Sequence, residues 1–198
     1  MRQKVLFLWI VFLFFIFFQD AHAIYYFPSD EQIKEAIEYG EKNKDADYIS
    51  FLSEWVSVSG DEYEWAALNT KFSIVAYEAK QAALSSRKLT ETQIFQLISE
   101  VEDILSFRVV LYGNSSGFAR DYQAVLLYKN KVIQPVNEQN DEHARPANLG
   151  IRIPVTYRAT CRYDFPNYLI EPDEEVILVI VSPLNKERRF VFNLKEMR

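Results

Sequence analysis

The sequence predicts an α+β protein: an N-terminal helical segment with a helical hairpin, packed on a C-terminal antiparallel β-sheet or β-sandwich of about six strands. Three observations carry this reading. The spacing of apolar residues changes near residue 107 from three-to-four to two. Glycine and proline are both absent between Gly60 and Gly113, whereas five of the seven prolines fall after residue 140. The first 23 residues read as a leader and stand outside the fold.

In the leader, Arg2 and Lys4 precede an unbroken apolar stretch from Val5 to Phe18, which runs into Asp20-Ala21-His22-Ala23. Those 14 apolar residues rise about 21 Å as a helix, short of the roughly 30 Å hydrocarbon core. The Ala-x-Ala ending offers small side chains to a signal peptidase, so cleavage is expected after Ala23, with retention as an N-terminal anchor the alternative. Cleavage leaves 175 residues with no second spanning segment, exported to the periplasm or beyond the cell. Loss of Arg2, Lys4 and Asp20 takes the net charge from −6 to −7, a balance that argues against nucleic-acid binding. It also disfavours docking by charge on an anionic membrane.

The helical segment spans 24–106 and the β domain 107–198, expected as one compact unit. Ser29 as N-cap with Gln32 three residues on starts a first helix, whose face is Ile33, Ala36 and Ile37 and whose stop is Gly40. The charged link Glu41 to Asp47 is expected to be solvated. Residues 48–60 fit either a helix stripe through Tyr48, Phe51, Leu52 and Trp55 or an extended run from Trp55 to Ser59. A second helix carries Trp65, Leu68, Phe72, Val75, Ala76, Ala79 and Ala83, with Lys71, Glu78, Lys80 and Gln81 between them. Its start lies near Asp61 or as late as Thr70, a good N-cap. Thr90 and Gln93 form a capping box for a third, with a stripe from Ile94 to Leu105, and the short link makes the pair an antiparallel hairpin.

Six strand candidates follow: Phe107 to Tyr112, Tyr122 to Tyr128, Val132 to Val136, Ile151 to Tyr163, Val176 to Val181 and Phe190 to Leu194. In the fourth, Ile151, Ile153, Val155, Tyr157, Ala159, Cys161 and Tyr163 face one way, while Arg152, Thr156, Arg158, Thr160 and Arg162 face the other. The run Val176 to Val181 is apolar on both faces, which suits an interior strand with the helical hairpin as its lid. The polar loop Asn137 to Asn148 is the longest irregular stretch.

Little in the chain suggests catalysis. Cys161 is the only cysteine, and its parity makes it buried filler, not a nucleophile. His143, the only histidine left after cleavage, sits in a polar loop that holds a base poorly. With one of each, no zinc site can be assembled, and no metal or cofactor is implied. Adjacent carboxylates such as Asp141-Glu142 and Asp173-Glu174 read as solvated surface. The one surface feature that stands out is the row Arg152, Arg158 and Arg162 with Thr156 and Thr160, whose guanidinium forks suit an acidic ligand or envelope protein. Cross-strand pairing with local Asp and Glu is its bland explanation. The leading expectation is therefore a non-enzymatic interaction or structural module of the bacterial cell envelope. A carboxylate-based hydrolase is the first alternative, and a carrier with a pocket between helices and sheet the second.

Overall fold

The computed structural model describes residues 24, 26–59, 63–147 and 157–198. The leader, Arg152, Thr156 and the first part of the fourth strand candidate lie outside them. The fold is α+β, with helices α1 (Asp30–Lys42), α2 (Tyr48–Phe51), α3 (Lys71–Leu84) and α4 (Glu91–Ser99) and two antiparallel sheets. In the first sheet the order is β1 (Val56–Val58), β2 (Trp65–Asn69), β3 (Ile104–Gly113), β8 (Tyr157–Pro166) and β6 (Asn137–Gln139), with β7 (Arg145–Pro146) also on β8. The second runs β10 (Glu187–Asn193), β9 (Glu175–Val181), β4 (Gln123–Tyr128), β5 (Lys131–Ile133). Among the described residues no helix is long and apolar enough to cross a membrane.

The capping boxes at Ser29, Thr70 and Thr90 form as their residue types dictate, each hydroxyl accepting from the backbone N–H three residues on. Gly40 does not stop α1. The helix continues to Lys42, and Gly40 is buried where α1 crosses α3. A Cβ there would press into the Ala76 carbonyl oxygen and stand 2.8 Å from Ala79 Cβ and 2.9 Å from the Lys80 amide nitrogen. In an exposed helix interior Gly→Ala gains about 1 kcal/mol. At this crossing the sign reverses: Gly40→Ala is expected to lower the free energy of unfolding in urea by about 1–3 kcal/mol, because backbone has to move.

Lys71 and Lys80, expected on a wet helix face, are both buried. Lys80 Nζ donates to the carbonyl oxygens of Asn43 (3.2 Å), Lys44 (2.8 Å) and Ala46, and lies 4.9 Å from the Phe51 ring centroid. It thus satisfies the oxygens left over where α1 ends, the position at which a cation also complements the helix dipole. Lys71 Nζ does the same for the Tyr26 carbonyl.

Of the two starts open to the second helix, the later one, at Thr70, is the one observed, and the part of the stripe before it is not helical. Trp65 to Asn69 is strand, and the helix starts after Thr70. Residues 65–68 are all buried because β2 is an interior strand between β1 and β3, and a short apolar run covered on both faces has no period to read. The stripe through Leu105 also overran: α4 ends at Ser99, and Asp103, with φ of 61°, turns the chain so that Ile104 and Leu105 begin β3. Of the open segment 48–60, the described residues 48–59 hold the one-turn helix α2, capped by Asp47, and then β1. The expected hairpin partner is also different, since α3 packs chiefly on α1, and α4 has no fully buried residue.

The two sheets meet face to face through Leu68, Phe107, Cys161, Tyr163 and Phe165 on one side and Leu126, Leu178, Phe190 and Phe192 on the other, all buried. Phe107 stands 5.0 Å from Phe192 and 5.8 Å from Phe165, ring centroid to ring centroid. Strand β9 is interior, as its two-sided apolar run implies. Its inner cover is the first sheet and not the helices, which lie against that sheet's other face.

Candidate functional site: an arginine-bearing sheet face

Strand pairing fixes which side chains share the outer face of the first sheet. Cα partners across a ladder point the same way, so Arg108 on β3 stands opposite Arg162 on β8, and Arg158 stands between Tyr112 on β3 and Arg145 on β7. Thr160 is on the same face, opposite Val110, and Ser106 lies opposite Asp164. Arg158, Thr160 and Arg162 of the expected row are therefore brought together, and the structure adds Arg108 and Arg145.

Two pairs of like charges set directly opposite are unfavourable unless anions compensate them. One arginine is compensated: Arg162 Nε donates to Asp164 Oδ1 at 2.8 Å, and the buried Asp164 accepts at Oδ2 from Asn137 Nδ2 at 2.9 Å. The anion that compensates Arg162 is thus on its own strand, two residues on, and not across the ladder. Arg108 Nη1 donates to the hydroxyl of Tyr48 at 3.0 Å. Among the described residues Arg108, Arg145 and Arg158 form no ion pair, and all three are exposed.

The face opens into two recesses that share Arg108 and Arg162. One is a cleft of about 160 Å³ bounded by α3 and α4, with Ser73, Ile74, Tyr77 and Glu78 on its helical wall and Ser106 on the sheet. The other is a wide depression beside the segment Gln139 to His143. That segment, expected to be a mobile irregular loop, is tied down on both sides by β6 and β7 and by two side chains. Asn140 Nδ2 donates to the carbonyls of Arg120 (3.1 Å) and Tyr122 (2.7 Å), while its Oδ1 accepts from the Tyr163 hydroxyl at 2.6 Å. Asp141 accepts from the amides of His143 and Thr160, each at 3.1 Å. The Asp141–His143 bond is the local side-chain-to-backbone kind that Asp favours in turns, whereas the others tie the segment to residues 18 to 23 positions away.

His143 is exposed at the rim of this depression, with its amide bound to Asp141. Cys161 is buried on the inner face, where burial pushes its thiol pKa up, in line with a space-filling role. Among the described residues no group of three or more His, Cys, Asp or Glu is placed to hold a metal ion.

Sequence reasoning missed Arg108, Arg145, Tyr48 and Ser106. For Arg108 and Ser106 a signal was present: they are the only charged residue and the only hydroxyl-bearing residue other than Tyr112 in the apolar run Ile104 to Gly113, and they share parity. Arg145 reaches the face through two-residue strand β7, which leaves no periodic trace. Comparison with protein-family models, curated proteins and solved structures finds no match to this chain.

Proposed function

We propose that this chain is an exported, non-enzymatic binding module of the bacterial cell envelope that holds an acidic partner on the outer face of its first sheet. The observation that carries the reading is the facing pair Arg145 and Arg158: two exposed guanidinium groups opposite one another, with no carboxylate paired to either among the described residues, in a chain of net charge −6. A fold with 28 acidic residues has anions to spare for a purely structural pair. Leaving this one open favours carboxylates or phosphates arriving from outside, for which planar forks are suited. Export is supported by the order of charge, apolar stretch and small residues from Arg2 to Ala23.

The test exploits opposite effects on stability and binding. Arg158→Glu turns a repulsive cross-strand pair into an attractive one, so melting temperature should hold or rise, by about 0.2–1 kcal/mol in unfolding free energy. Binding of a fluorescent oligoglutamate peptide, measured by anisotropy at low salt, should fall about tenfold or more, and the wild-type affinity should weaken steeply as salt is added. Equal affinity of variant and wild type would dismiss the face as the docking surface.

A further inference from the structure

We infer that the cleft between α3, α4 and the outer face of the first sheet binds a small zwitterion, namely a free α-amino acid with an apolar side chain. Charges of opposite sign stand on opposite walls. Arg108 and Arg162 rise from the sheet, whereas Glu78 belongs to α3 and Glu100 is the residue that caps the end of α4. Arg108, Glu78 and Glu100 form no ion pair with one another or with any other described residue. Cation and carboxylates line one recess without closing on each other, and a dipolar guest carrying both charges satisfies each wall.

The floor supplies the rest. Leu52, Ile74, Leu97 and Val101 give an apolar lining between the charged walls, and Tyr48 and Tyr77 meet edge to face with ring centroids 5.6 Å apart. Ser106 is the second, independent observation. It is completely buried and lines this cleft, yet among the described residues its hydroxyl has no hydrogen-bond partner. A buried hydroxyl left unpaired is costly, and a ligand carboxylate or ammonium group would satisfy it. The volume of about 160 Å³ lies well below the ~300–1,000 Å³ of drug-sized sites, which fits a guest of amino-acid size. The site shares Arg108 and Arg162 with the surface for the acidic partner and otherwise stands apart from it.

Calorimetric titration of the whole protein with leucine, valine, methionine and phenylalanine tests this, alongside 4-methylpentanoate, which lacks the ammonium group, and 3-methylbutylamine, which lacks the carboxylate. At least one amino acid should bind with Kd below about 1 mM, and each one-charge analogue of leucine should bind about tenfold or more weakly. Ser106→Ala should abolish that binding while leaving the melting temperature unchanged or higher, as expected for removing an unpaired hydroxyl. Arg108→Gln should weaken the amino acid and the carboxylate analogue alike. Absence of binding by all four amino acids overturns the inference, and so does equal binding of 4-methylpentanoate. Oligoglutamate binding by Ser106→Ala should match wild type, so failure of this site and failure of the acidic-partner surface give different results.

Discussion

Replacing Glu64 with alanine is expected to destabilise the fold by about 3–5 kcal/mol, the cost of stranding one member of a buried ion pair. Glu64 lies just before β2 in the first sheet, and Arg188 lies on β10 in the second; Arg188 Nε reaches Glu64 Oε2 at 2.5 Å with 11% and 8% of the two side chains exposed. The other carboxylate oxygen accepts the Tyr112 amide at 3.2 Å, and the guanidinium lies 5.3 Å from the Tyr122 ring centroid. The pair therefore fastens the two sheets to each other and to β3 at one edge of the sandwich. Truncating Glu64 leaves a guanidinium in a place water reaches poorly, with its buried Nη1 already lacking a partner among the described residues. For a domain of this size the melting temperature should fall by about 10 °C. The double variant Glu64→Leu with Arg188→Met should regain most of the loss, since buried ion pairs exchange for packed hydrophobes at little cost. If the single variant unfolds within a degree or two of wild type, the pair is not what holds this edge.

How much of this was legible follows from which interactions are local. The capping boxes of Ser29 with Gln32 and of Thr90 with Gln93, and Thr70 as an N-cap, were readable because caps act over three residues. The alternation from Tyr157 to Tyr163 was readable because one face is buried and one is wet. Strand β2 was not, since Trp65 to Leu68 is covered on both sides and its spacing merges with that of the following helix. Lys71 and Lys80 look like solvated charges in the sequence and become buried caps only because the end of α1 and the Tyr26 carbonyl are brought to them. The same limit applies to the site. The row on β8 could be read from parity along one strand, whereas Arg108 and Arg145 join it through pairing with β3 and β7, at separations of 54 and 13 residues from their partners Arg162 and Arg158 that no local pattern encodes.

The clearest case of such long-range dependence is Arg198, and it sets the second large effect. Arg198→Ala is expected to cost about 2–4 kcal/mol, because the side chain is only 15% exposed and is engaged on every side. Its Nε donates to Glu54 Oε2 at 2.9 Å with Nη2 on the same carboxylate, and Nη1 donates to Glu35 Oε1 at 2.6 Å. The guanidinium carbon also lies 4.7 Å from the Phe72 and 5.1 Å from the Tyr39 ring centroid. Through that one group α1, the turn before β1 and the start of α3 are joined. The backbone of the same residue adds to this, its oxygen accepting from Trp55 Nε1 at 2.8 Å and from the Thr70 hydroxyl at 2.5 Å. Thr70 thereby caps α3 with its oxygen, accepting from the Ser73 amide at 3.0 Å, while its proton points to Arg198. Losing the side chain should therefore loosen the α3 cap as well, visible as faster amide exchange at Ser73. Arg198→Lys discriminates between charge and shape. A lysine keeps the attraction to Glu35 and Glu54 but cannot grip a carboxylate with two parallel bonds or offer the same planar group to the aromatic rings. It should recover less than about half of the loss, and a lysine variant as stable as wild type would show that net charge alone holds these elements together.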